Sequence, residues 1–182
     1  MQYVGAPYVW KPQLMADSIS TASQNCAVVA SGVAYCMGIG KFYKYDGRTQ
    51  TLRCDLRQHI FQDFNTDQYA QVFAGTNEEF NEVWWFYCSK DSTTVDRYAI
   101  YNYGEDIWYY GSMVRTAWLD SGLRNYPMGA TAANNVVYHE LGVDDNTTEE
   151  PTPNSALNSK AELDLDERDH YVFVWRIQPD IT

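Results

Sequence analysis

A chain of 182 residues is long enough for one domain with a substantial core, and its 15% aromatic content with few long Ala, Glu, Lys and Leu segments favours an all-β domain. A formal net charge of −11 opposes a general phosphate-backbone binder, so no direct nucleic-acid partner is expected. No window approaches the roughly 20 apolar residues of a membrane-spanning helix, and Met1 to Trp10 carries no secretory signature, so the chain is expected to be made in a reducing cytoplasm, with no membrane partner.

Met1 to Pro12 alternates in part and is interrupted by Pro7 and Pro12. Proline cannot donate to a ladder, so the segment reads as an edge strand or an arm over a neighbour. Its abrupt opening, and an ending on Gln178-Pro179-Asp180-Ile181-Thr182, are expected of a fragment of a longer protein. Leu14 to Asn25, rich in Ser, Thr and Gln, reads as loop. Strands follow at Cys26 to Ser31, Val33 to Met37, Lys41 to Tyr45 and Thr49 to Cys54. Turns at Gly32, Gly38-Ile39-Gly40 and Asp46-Gly47-Arg48 separate them, and Asp-Gly between β-like runs predicts a type I′ hairpin. In Asp55 to Phe64, Leu56, Ile60, Phe61 and Phe64 fall at helical spacing with Asp55 placed as N-cap, which predicts the single helix. His59 beside that apolar face reads as a hydrogen-bonded, partly buried histidine.

The chain is organised around Phe80 to Gly111. Glu82 to Tyr87, Arg97 to Tyr103 and Ile107 to Tyr110 are β-branched and aromatic runs cut by Ser89 to Thr94 and by Gly104-Glu105-Asp106, and they predict three antiparallel strands. A strand starting at Val72 precedes them. Alternation places Trp84, Phe86, Ile100 and Val174 in the core. Ser112 to Asn125 reads as irregular, pinned by Trp118 and Leu119. Tyr126 to Ala133 and Val136 to Val143 read as a hairpin joined through Asn134-Asn135, Asp144 to Lys160 as an exposed excursion, and Ala161 to Leu165 with Tyr171 to Ile177 as a final strand pair.

Val33 to Met37 aligns with Val83 to Tyr87, and Phe42 to Gly47 with Ala99 to Gly104; a fainter third copy starts at Val136. Recurrence of a four-stranded unit at this spacing predicts propeller blades. The expectation is therefore a single all-β domain over residues 1–182, with antiparallel four-stranded meanders stacked as about three blades at 26–54, 72–111 and 126–177, and one short helix near 55–64. Three blades are too few to close a propeller, so association, a longer chain or a sandwich is implied.

Cys26, Cys36, Cys54 and Cys88 contain no Cys-x-x-Cys pair, so they read as buried thiols and neither a metal site nor a redox centre is predicted. The acid-rich last third, from Asp144 to Asp169, reads as a solvated loop. It lacks the spacing of a calcium-binding loop.

The residues Tyr3-Val4-Gly5, Val33 to Gly38, Tyr45-Asp46-Gly47-Arg48, Asn81 to Tyr87, Arg97 to Tyr103 and Thr116 to Asp120 resemble the propeller-like tail hub or tail stabilisation proteins that join portal to tail in short-tailed bacteriophages. The resemblance spans Tyr3 to about Ile177, and Asn-Glu-Val-Trp-Trp-Phe-Tyr is its most specific part. Members of that group are several times longer. It implies a non-enzymatic structural component of a virion, at the tail or the portal–tail junction, with portal and tail subunits as partners, homo-oligomer formation as a further option, and neither catalytic residues nor cofactors.

The alternative is a carbohydrate-binding or glycan-degrading propeller module. Trp108, Tyr109, Tyr110 and Trp118 are the candidates for contact with a sugar or a protein partner, and Glu105 with Asp106 for a carboxylate pair, although after Gly104 they read more simply as hairpin residues. His59, His139 and His170 are dispersed; the pairs His139-Glu140 and Asp169-His170 would titrate near neutrality if they interact, but read as exposed surface pairs. No nucleophile, phosphate-loop or zinc-protease motif occurs.

Overall fold

The computed structural model describes residues 2–7, 9–11, 19–123, 125–141 and 158–159. Among them the architecture is mostly β, with antiparallel sheets and one α-helix. Strands β1 (Gln2–Tyr3) and β2 (Trp10–Lys11) pair with each other. The amino-terminal segment is therefore a small hairpin rather than the single edge strand or arm expected.

The first large sheet is an antiparallel meander of β3 (Ala27–Ala30), β4 (Val33–Met37), β5 (Phe42–Tyr45) and β6 (Thr49–Leu52). Its tightest turn is not at Asp46-Gly47. Pairing of Tyr45 with Thr49 leaves three residues in that loop, and of these only Gly47 has positive φ. The two-residue turn with both central residues at positive φ is Ser31-Gly32, closed by the Ala30 and Val33 pair.

Helix α1 spans Arg57–Asp63 and buries Ile60. Leu56 and Phe64, one helical turn to either side, are buried with it, as the apolar spacing predicts. Asp55 is not its cap. The helix starts from Leu56 without a side-chain cap, and the Asp55 carboxylate instead pairs with Arg53 at 3.1 Å in solvent.

The second sheet contains β7 (Phe73–Asn77), β8 (Glu82–Tyr87), β9 (Arg97–Asn102) and β10 (Ile107–Ser112), extended at the β10 edge by the short β14 (Asn158–Ser159). Between β7 and β10 the order follows the sequence. The strands aligned by the internal repeat thus hold equivalent places, β4 with β8 second and β5 with β9 third. A third sheet comprises β11 (Ala117–Leu119), β12 (Met128–Ala130) and β13 (Val136–Tyr138). The segment around Trp118 is therefore a strand and not irregular. Hydrogen bonding to Gly129 neighbours on β12 overrides its weak local pattern. The expected strands at Ala161 to Leu165 and Tyr171 to Ile177, the core assignment of Val174, His170 and the acidic run after Asp144 lie outside the described residues.

Strand β8 explains why Val-Trp-Trp-Phe-Tyr is apolar without a break. Val83, Trp85 and Tyr87 face the first sheet and α1, packing with Tyr35, Met37, Phe42, Leu52 and Ile60. Trp84 and Phe86 face the other way, with Ile100 and the third sheet's Trp118. A strand covered on both faces has no solvent side on which alternation would place polar residues. Each indole in this region also finds an acceptor for its N–H. Trp85 donates to the Cys26 carbonyl at 3.0 Å and Trp108 to the Arg53 carbonyl at 2.8 Å. Satisfying these donors removes the penalty of about 1–3 kcal/mol for an unpaired buried polar group.

Candidate functional site

The four aromatic residues singled out from sequence are divided between two faces. Trp108 is only 5% exposed and lies in the core between the first and second sheets, its ring 4.5 Å from Phe42 and 4.9 Å from Tyr101. Tyr110 is half-buried on the same side, with its ring 4.3 Å from that of His59. Tyr109 projects to the opposite face beside Trp84 and Phe86. Trp118 is half-buried there, stacked on Trp84 at 4.9 Å with 18° between planes. The Glu105 and Asp106 pair is a turn. Asp106 has positive φ and accepts a hydrogen bond from Tyr101 Oη at 2.8 Å, while the Asn102 side chain caps the amides of Gly104 and Glu105.

The polar groups gather elsewhere, where β7 and β8 meet the loop that follows β13. Trp118 Nε1 donates to the Thr76 carbonyl at 2.8 Å, and Thr76 Oγ1 donates to Asp120 Oδ2 at 2.6 Å. Asp120 also accepts the Glu78 amide at 3.2 Å, so one carboxylate ties the end of β11 to the turn after β7. His139 lies on the other side of the Trp118 ring, at 4.5 Å, and its Nε2 accepts from Arg115 Nε at 2.9 Å. Burial and the adjacent guanidinium push the imidazole down to about 4, so it is neutral near pH 7. This corrects the reading of His139-Glu140 as an exposed surface pair: His139 is half-buried, and its contact is Arg115 rather than Glu140.

Next to it, Asn77 is completely buried. Its Nδ2 sits 3.5 Å from Glu82 Oε2 and 3.5 Å from Glu140 Oε1. Glu82 Oε2 additionally accepts from Trp84 Nε1 at 2.9 Å. Asn77 Oδ1 is buried and has no hydrogen-bond partner among the described residues. Burial raises the carboxyl of Glu82, opposed by the Trp84 indole and reinforced by the charge of Glu140. Burial also raises Glu140, with the charge of Glu79 adding to it. Among the described residues no Lys, Arg or His forms an ion pair with either glutamate.

Sequence reading missed this junction because Asn77, Glu82 and Glu140 belong to three separate segments. The one local signal is Glu82, a charge at the head of an otherwise apolar run. It likewise missed that Cys26 and Cys36, ten residues apart, bring their sulfurs within 3.4 Å of each other. Cys26 and Cys88 are buried as expected, whereas Cys36 and Cys54 are only half-buried. No three His, Cys, Asp or Glu side chains of the described residues cluster as a metal site.

No protein-family model matches the chain, and no curated protein is similar enough to it to count as a relative.

Proposed function

We propose that the protein is a non-enzymatic structural part of a tailed-phage particle, at the tail or the portal–tail junction, and that its sheets are blade-like units made to pack against further sheets. The observation that carries this reading is the outer face of the third sheet. Register places Ala117, Leu119, Met128, Ala130, Val136 and Tyr138 together on it, opposite the side that Trp118 turns toward Trp84. Val136 is 69% and Tyr138 50% exposed. Both faces of β8 are covered, so this apolar surface of the third sheet is where a stack of such sheets would continue, into another copy, a portal subunit or a tail subunit. The sequence resemblance to tail hub and tail stabilisation proteins supplies the phage context.

A sugar-binding role is less well supported, because a stacking platform must reach solvent and Trp108 does not. The test is to label the protein in phage particles and locate it by electron microscopy, alongside a variant carrying Val136→Lys and Tyr138→Lys. The label is expected at the portal–tail junction, and the variant is expected to fold but to stay out of particles. Label absent from particles, or normal incorporation of the variant, would overturn the reading.

A further inference from the structure

We infer that the third sheet is completed by a fourth strand from this same chain, residues 171–177 (Tyr-Val-Phe-Val-Trp-Arg-Ile), laid antiparallel along the open edge of β13. The inference rests on the proposed function only in taking four strands as the full unit. The first sheet has four, and the second has four consecutive ones from β7 to β10, whereas β11, β12 and β13 are three.

Register shows that the open edge is β13 and which groups it offers. On one side β11 is held to β7, because Trp118 Nε1 donates to the Thr76 carbonyl at 2.8 Å. On the other side β13 has β12 as its one neighbour among the described residues. The His139 amide donates to the Pro127 carbonyl at 2.8 Å and the Thr131 amide to the Asn135 carbonyl at 2.9 Å, so both of these facing pairs are hydrogen-bonded ones. Such pairs alternate along an antiparallel ladder, which makes Val137 with Gly129 the hydrogen-bonded pair between them. The amides and carbonyls of Val136 and Tyr138 therefore turn away from β12, toward the edge. With Val136 69% and Tyr138 50% exposed, that edge is an open template for one more strand.

Residues 171–177 suit it. They carry a β-branched or aromatic side chain at every position except Arg176, a composition that favours strands and is costly to leave in water. They also reach it. Ser159 pairs with Tyr109 and, through Ile100 and Trp84, shares a row with Gly75, four strand spacings or about 19 Å away. Glu140, two residues past β13, lies against Asn77 at the end of the same strand β7, its Oε1 3.5 Å from Nδ2. Residues 160–170, extended, cover up to about 36 Å. The chain thus arrives at the Tyr138 end of β13, and a strand begun there runs antiparallel to it.

Amide exchange followed by nuclear magnetic resonance on the purified full chain tests this. The Val136 and Tyr138 amides are expected to exchange more than about tenfold slower than those of Ala132 and Ala133 in the exposed loop before β13. Phe173→Pro combined with Val174→Pro removes two adjacent donors, one of which faces β13 in any register. This variant is expected to return Val136 and Tyr138 to the loop rate, while Val137, bonded to β12, stays slow and reports an intact sheet. Nuclear Overhauser contacts between β13 and residues 171–177 are expected within one wild-type chain, which decides the matter even if the variant fails to fold. Loop-rate exchange of both amides in the wild type, protection unaltered by the prolines, or contacts seen only between differently labelled chains in a mixture overturns the inference; the last would assign the edge to a second copy. Incorporation into particles is read separately and depends on the outer face of the third sheet, so failure here leaves the proposed function standing.

Discussion

Trp118 of β11 lies flat on Trp84 of β8, ring centroids 4.9 Å apart, and this single stack carries much of the contact between the second and third sheets. Directly beneath it is Gly75, where an added Cβ would collide with Trp118 Cδ1. The ring is held by Trp84, His139 and the Thr76 carbonyl, so it cannot easily yield. Gly75→Ala is expected to cost about 1–3 kcal/mol, the usual range for overpacking. Trp118→Ala is expected to cost about 3 kcal/mol, the low end for loss of a large aromatic because the ring is only half-buried. Urea unfolding followed by near-ultraviolet circular dichroism measures both. A neutral Gly75→Ala would mean that the third sheet is not seated on β7.

Trp108 offers a direct contrast between core and binding roles. It packs on Phe42, Trp85 and Tyr101 and is only 5% exposed. Trp108→Ala is expected to destabilise by about 3–5 kcal/mol. Trp108→Phe keeps part of the packing but leaves the Arg53 carbonyl without its donor, so it should fall between. Thermal unfolding ranks the three proteins, and equal stabilities would place Trp108 outside the core.

Cys26 and Cys36 are predicted to close a disulfide on exposure to oxidised glutathione. The hydrogen bond between them draws the Cys26 thiol down to about 6 and pushes Cys36 up, so a thiolate is available next to a second sulfur 3.4 Å away. Cys36 is half-buried and gives the reagent access. Cys36, the accessible sulfur, passes its proton to the Cys26 thiolate beside it, attacks the glutathione disulfide and releases one glutathione; Cys26 then loses that proton and displaces the second, leaving the protein disulfide and two glutathiones. Mass spectrometry of peptides is expected to show loss of two hydrogens across Cys26 and Cys36, with Cys36→Ser stopping at most at a mixed disulfide. Oxidation confined to Cys54 or Cys88 would contradict the pairing.

His139 sets a pH window. Its folded pKa, about 4, is below the ordinary 6.5, so the unfolded chain takes up the proton first as pH falls. Its stabilising contribution is complete above pH 6.5 and is lost progressively toward pH 4. Glu82 and Glu140, raised by burial, act in the opposite sense: their contribution is present in acid and lost as pH rises through their folded values. His139→Gln keeps an acceptor for Arg115 and removes the titration. The stability difference between wild type and this variant is expected to shrink as pH drops through that window. Parallel urea midpoints from pH 7 to 4 would assign the acid sensitivity elsewhere.

The strands from β3 to β6 and from β7 to β10 are legible in sequence, most plainly β4, β5, β8, β9 and β10, which are rich in β-branched and aromatic residues. The helix is equally plain, through Leu56, Ile60 and Phe64. Less legible were the ends. Asp55 has the right chemistry for a cap but faces Arg53, and Asp46-Gly47 has the right turn residues but a register that leaves three in the loop. Trp118 was recognised as an anchor and not as part of a strand, since Ala-Trp-Leu is too short to show a period. The polar junction had no local signature, because Asn77, Glu82 and Glu140 acquire meaning only when three segments are brought together.

What the amino-acid order determined by itself was the strands of the two four-stranded meanders, their antiparallel succession and the repeat, all of which depend on residues close along the chain. Which face of β8 meets which sheet, the burial of Trp108, the meeting of Cys26 with Cys36 and the convergence of Glu82 and Glu140 on Asn77 were decided only by tertiary packing. Burial and charge proximity are properties of neighbours in space, and a strand covered on both sides shows the same apolar letters whichever partner covers each side.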